Sequence, residues 1–167
     1  MKIAEVQAAL RGKGVSDILI TGFVDQDVTP VRFLPVLRSV YFECGLLLLK
    51  MEAIESAGMI QLSLTENVCL ETERDEEMLV AVTSLGEQRL RDPDGDNQLS
   101  ALRLWSASEM DGNLCCAAAR LDLVNGQKIF VDPTYYFGLR LGGLEQEQIW
   151  RDSWPWAVGA KEDVLLL

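Results

Sequence analysis

Residues 36–64 read "VLRSVYFECGLLLLKMEAIESAGMIQLSL", and the reading of this stretch decides the fold. Val40 and Phe42 alternate with Ser39 and Tyr41, the period of two that belongs to a strand. A tight turn near Cys44 and Gly45 leads into Leu46–Met51. A second turn, near Ser56, Ala57 and Gly58, leads into Met59–Leu64. Three short strands joined by small turns predict an antiparallel meander. The all-apolar "LLLL" at 46–49 predicts a central strand covered on both faces.

Upstream, Ile3, Val6 and Leu10 stand at helical spacing and "GKG" at 12–14 stops the pattern, predicting a short opening helix. "VSDILITGFV" (15–24) reads as a strand or an extended edge segment. Pro30 and Pro35 bracket "VRFL", which predicts irregular structure or a short edge piece. Downstream, "TERDEEMLVAVTSLGEQRLRD" (72–92) puts Met78, Leu79, Val82, Leu85 and Leu90 near one helical face. Acidic residues crowd its start and arginines its end, as the helix dipole prefers, so a helix is predicted there. Val80, Val82 and Thr83 would also suit a strand.

"NQLSALRLWSAS" (97–108) predicts a strand. Asn125-Gly126, inside "LCCAAARLDLVNGQKIFVDP" (114–133), is the strongest hairpin signal in the chain, and Pro133 is expected to end it. "TYYFGLRLGG" (134–143) fits a further short strand. "LEQEQIWRDSWPWA" (144–157) fits one or two helical turns halted by Pro155, and "EDVLLL" (162–167) fits a last strand or packed end. Neither a repeat nor a linker divides the chain. The expected fold is therefore one α+β domain over residues 1–167, a mainly antiparallel sheet of meander plus hairpin with helices on one face.

There are 26 acidic and 15 basic residues, a formal charge of −11. Such a surface repels nucleic acid and anionic lipid and favours a basic protein partner. Apolar runs fall short of the ~20 residues needed to cross a bilayer. Glu5 and Arg11 stand where a signal peptide needs an apolar block, so a cytoplasmic protein without a membrane partner is expected. The composition leaves oligomeric state open.

Histidine is absent. That excludes a Ser-His-Asp or Cys-His nucleophile and a histidine-held metal. Cys44, Cys69, Cys115 and Cys116 form no zinc spacing and read as reduced cysteines in half-buried strand positions. The most chemical-looking string is "DPDGDN" (92–97). A calcium loop counted from Asp92 would use Asp92, Asp94 and Asp96. Its sixth position, which needs glycine, is Asn97, and its twelfth, which needs glutamate, is Arg103. A solvated turn is the expectation. No P-loop or dinucleotide fingerprint occurs, and carboxylate pairs such as Glu43 and Glu52 fit an ordinary wet strand face. Neither catalytic residues nor a cofactor or metal site are expected.

Two stretches point to binding. "ENVCLETERDEE" (66–77) concentrates acid, and Glu71, Glu73, Asp75, Glu76 and Glu77 are candidate docking residues for a basic partner. "IWRDSWPW" (149–156) supplies Trp150, Trp154 and Trp156 as candidate interface anchors. Both stretches also have a plain structural explanation, as a solvated helix start and as packing over the sheet.

With its size, acidity, lack of catalytic residues and "NGQKIFVDPTYYFGLRLG" (125–142) near the end, the chain resembles the small acidic immunity proteins of bacterial polymorphic and contact-dependent toxin systems. The likeness spans the whole length and transfers no particular residue. It implies a protein that binds a cognate toxin domain and blocks its active site, a basic nuclease being a natural match. The alternatives are an acidic secretion chaperone for an effector, and an enzyme working with carboxylates alone.

Overall fold

The computed structural model describes residues 1–54, 57–70, 79–95, 97–154, 157 and 159–167. The chain begins with α1 (Ile3–Leu10), β1 (Asp17–Asp25), β2 (Arg32–Cys44), β3 (Leu47–Ile54) and β4 (Met59–Thr65). It continues through β5 (Leu79–Ser84), α2 (Gly86–Arg89), β6 (Leu99–Trp105), β7 (Ser108–Met110) and β8 (Asn113–Cys116). It ends with β9 (Ala118–Leu123), β10 (Lys128–Tyr135), β11 (Gly138–Gly142), α3 (Leu144–Ser153) and β12 (Glu162–Leu166). The opening helix, the meander β2–β3–β4, the Asn125-Gly126 hairpin β9–β10 and the last strand form where the local patterns predict them.

Neighbouring strands run in two arrays. One reads β5-β1-β2-β3-β4-β8-β7, the other β12-β6-β9-β10-β11. Among the described residues every pairing is antiparallel but one. β11 meets β2 in parallel, with Gly138 opposite Leu37, and this bridge joins the arrays into one curled, mostly-strand, mixed sheet. Gly138 has φ +118°, and a methyl group on it would collide with the Leu37 carbonyl oxygen. Only glycine allows backbone to approach backbone this closely at that angle.

Four expectations are corrected. Residues 79–84, read as helix, form strand β5 on the free edge of β1, with Val82 opposite Thr21 and Val80 opposite Phe23. Pairing with an exposed ladder outweighed a weak helical period, and the β-branched residues suit it. The helical part shrinks to the single turn α2, held where Asp17 Oδ1 accepts hydrogen bonds from the Gly86 amide (3.0 Å) and the Ser84 hydroxyl (2.7 Å). Pro35 lies inside β2 rather than bounding it. β3 pairs with β2 only from Ser39 onward, so at Pro35 a ladder stands on the β1 side alone. Likewise β10 runs through Pro133, where the β10–β11 register shifts.

The helices also do not share one face. Alternation along β6, β9 and β10 sends Leu102, Leu104, Leu121, Ile129 and Val131 into a large apolar cluster with Val6 and Leu10 of α1. Trp105, Ala118 and Phe130 point the other way, into a smaller cluster closed by Trp150 of α3. Phe42, Leu49, Ile60 and Leu62 of the meander are fully buried in the large cluster, each worth about 1.5–3 kcal/mol.

Two alanine variants test the bridge. Gly126 also has positive φ (+85°) but open space around it. Gly126→Ala should cost the backbone term alone, on the order of 1 kcal/mol, and Gly138→Ala distinctly more. Urea denaturation of both variants checks this, and equal losses would show that the close approach at Leu37 carries no weight.

Candidate functional site

Strand register builds an apolar surface on the outer side of the first array. Along β2, Phe33 and Leu37 pack against the large core cluster. Leu34 and Val36 alternate with them and face away. Leu34 pairs with Phe23, which pairs with Val80; Val36 pairs with Thr21, which pairs with Val82. Two cross-strand rows of three therefore run over β5, β1 and β2. Leu34 is 42% and Val82 41% exposed, and Phe23, Val36 and Val80 are half-buried.

The bridge brings an aromatic turn alongside β2. Gly138 is the first residue of β11, so the turn before it abuts β2 at Leu37. That turn carries Tyr136, 91% exposed, and Phe137, 70% exposed. Their rings meet edge to face at 5.1 Å, and Phe137 meets Tyr135 at 5.5 Å. Arg140 lies over the Tyr135 ring at 4.5 Å. Rings stacked this way lose little freedom on binding, which makes them efficient contact groups.

The predicted anchors are divided. Trp150 is corrected from surface anchor to core residue: it is 1% exposed and packs on Trp105 at 5.8 Å and Phe130 at 5.7 Å. Trp154 is half-buried and borders a cleft of about 150 Å³ with Tyr135, Arg140, Ile149 and Ser153. Trp156 lies outside the described residues, as do Glu71, Glu73, Asp75, Glu76 and Glu77. The neighbours of that acidic stretch are placed. The Tyr41 hydroxyl hydrogen-bonds both the carbonyl and the amide of Cys69 at 3.2 Å, and Leu79 pairs with Val24 at the start of β5. The described residues on either side of the stretch, Cys69 and Leu79, both touch the array that carries the apolar rows. Sequence reasoning missed Tyr136 and Phe137; the signal was three aromatics running into a glycine, a pattern that breaks strand alternation and marks a turn.

Charge around β6, β9 and α3 is spent internally. Arg120 hydrogen-bonds Asp122 through Nε at 2.6 Å and Glu147 of α3 through Nη1. Arg103 reaches Asp122 at 2.6 Å and also Glu162, and Arg151 reaches Glu147 at 2.7 Å. Burial alone would raise the Asp122 carboxyl; hydrogen bonds from Arg120 and Arg103 outweigh it and hold the group below its ordinary 3.8. A general acid needs the opposite shift. Burial likewise works against the charge on Arg120, and its bonds to Asp122 and Glu147 overcome that. The cluster fastens α3 and β12 to the sheet.

The remaining candidates are structural in place. The 92–97 turn is closed by the Gly95 amide on the Asp92 carbonyl (3.1 Å) and by the buried Asn97 side chain on the same oxygen (2.7 Å). Asn97 also accepts from Asn125 of the β9–β10 turn at 3.1 Å. Asp96 lies outside the described residues, and Arg103 is engaged in the ion cluster. Among the described residues no three His, Cys, Asp or Glu side chains converge as a metal site would require. Glu43 pairs in register with Leu48 and Glu52 with Ser39, so those carboxylates do not face each other. Cys44, Cys115 and Cys116 are fully rather than half buried. Burial, with the neighbouring Glu43 charge, pushes the Cys44 thiol up to about 12.

Asp122 yields a pH prediction. Its folded pKa is depressed, so its stabilisation is complete above the ordinary carboxylate value and is lost as pH falls below about 3.8 toward the folded value. Asp122→Asn should destabilise the protein by about 3–5 kcal/mol at neutral pH, because it leaves buried arginine charge unpaired. Thermal melts from pH 7 to 2 should show the gap between wild type and variant narrowing only in acid. No protein-family model matches this chain, and no curated protein and no solved structure matches it.

Proposed function

We propose that this chain is a binding protein of the immunity type, which neutralises a basic toxin domain by covering it. The observation that carries this reading is the exposed pair Tyr136 and Phe137, in the turn whose Gly138 pairs with Leu37 of β2, the strand that also carries Leu34 and Val36. Stacked aromatics next to half-exposed aliphatics are what interface centres are made of. The formal charge of −11 selects a basic partner. The stretch from Glu71 to Glu77 enters the chain directly before β5, where it can steer such a partner toward the apolar rows. Four free cysteines and the lack of any long apolar helix among the described residues fit a cytoplasmic setting for this role.

Steering and anchoring separate in a kinetic experiment. The partner to use is the protein encoded beside this chain's gene. Glu73→Lys, Glu76→Lys and Glu77→Lys together should slow association and flatten its salt dependence, since steering is screened over about 8 Å at physiological ionic strength. Tyr136→Ala with Phe137→Ala should instead speed dissociation by at least about tenfold, as hot-spot aromatics are each worth about 2 kcal/mol or more. Leu46→Ala, at the far end of β2 and 93% exposed, should change neither rate. Unchanged dissociation in the double aromatic variant would remove this surface from the interface. Binding restricted to an unfolded form of the partner would move the assignment to a secretion chaperone.

A further inference from the structure

The cleft beside the aromatic turn has a chemistry of its own. Its lining comes from β10 (Asp132, Thr134, Tyr135), Arg140 of β11, and Ile149, Ser153 and Trp154 at the end of α3, with Trp150 beneath. At about 150 Å³ it is smaller than the roughly 300–1,000 Å³ of a drug-sized pocket and holds one side chain. Ile149, Trp154 and the Tyr135 ring give it apolar surface, and Asp132, Thr134, Arg140 and Ser153 give it polar surface.

Arg140 is the unusual member. Its guanidinium rests on Tyr135, and among the described residues no carboxylate pairs with it, although the chain carries 26 acidic residues. The carboxylate directly opposite it in the β10–β11 register is Asp132. Asp132 is turned elsewhere: one oxygen accepts from the Thr134 amide at 2.8 Å, the other from Gln146 Nε2 at 2.7 Å. An exposed, stacked guanidinium with its donors unspent at the rim of a cleft is an anion fork.

The neighbouring Asp132 decides which anion. It repels a doubly charged phosphate and tolerates a single carboxylate that neutralises Arg140. Ile149 and Trp154 favour a hydrophobic group next to that carboxylate. An Asp or Glu side chain cannot supply both, because its only side chain is the acid. A polypeptide C-terminus with an apolar last residue carries both on one Cα. We propose that the cleft between the β10–β11 hairpin and α3 binds the C-terminal residue of a polypeptide, its side chain against Ile149 and Trp154 and its terminal carboxylate on Arg140. The site lies on β10, β11 and α3 and is tested without any protein partner, so it stands or falls apart from the docking reading.

The test uses the whole chain with acetyl-Gly-Gly-Leu as free acid, the same peptide as C-terminal amide, and inorganic phosphate. Calorimetric titration, with tryptophan emission as a second readout, should show saturable binding of the acid. The amide should bind at least about tenfold more weakly, since a charge-assisted hydrogen-bond pair is lost. Phosphate should neither bind nor compete. Arg140→Gln should abolish the preference for acid over amide, and Arg140→Lys should restore it only in part, a lysine being unable to form the planar fork. Circular dichroism verifies the fold of both variants. Equal binding of acid and amide, phosphate competing with the acid, or no saturable response at millimolar peptide each overturns the proposal, and the peptide comparison alone decides it if a variant does not fold.

Discussion

Two strands that share no turn, no hairpin and no neighbouring sequence meet where Gly138 lies against the Leu37 carbonyl. The consequences of that contact reach most of the molecule. It converts two antiparallel arrays into one curled sheet, and the curl encloses the large core cluster between them. It also decides where the preceding turn must sit. Tyr136 and Phe137 form the two-residue turn between Tyr135 and Gly138, which pair across β10 and β11, so the bridge holds that turn alongside β2. A backbone requirement for glycine at one point thus fixes which apolar groups become neighbours at the surface.

The surface and the interior divide the charge between them. On the β6–β9–β10 side, arginines and carboxylates are matched closely enough that Asp122 stays ionised while nearly out of water. Such clusters are poor sources of net stability but strict about geometry, since any displaced partner leaves a charge stranded. α3 is therefore held in one orientation by Glu147 and, one turn on along the same buried face, Trp150. The unmatched acidity stays outside, available for long-range attraction, and does not compete with the ion pairs that hold the helix.

How far the sequence could be read follows from how local each feature is. Val40, Phe42 and the apolar run after Gly45 announce the meander because hairpins join neighbours. Asn125-Gly126 announces β9 and β10 for the same reason. Residues 79–84 were illegible because their strand state depends on β1, some sixty residues earlier in the chain, offering a free edge. Pro35 and Pro133 mislead when read as boundaries, since Pro35 sits where β2 is paired on one side alone and Pro133 sits in the register shift between β10 and β11. The parallel bridge left no pattern beyond a glycine. For the site, tryptophan content drew attention to Trp150, which the core uses, whereas Tyr136 and Phe137 are exposed at the turn between β10 and β11.

The cysteines have a practical consequence. Cys44, Cys115 and Cys116 are sealed in strands, and burial raises each thiol, which keeps the reactive thiolate form scarce. Cys69 is exposed and fastened through its backbone to the Tyr41 hydroxyl, two residues before the acidic stretch begins. A maleimide dye under mild conditions would therefore modify the native protein at one position without mutagenesis. The label would stand on a backbone held at both its amide and its carbonyl, next to the segment proposed to steer a partner, and so would report encounter optically on the unaltered chain.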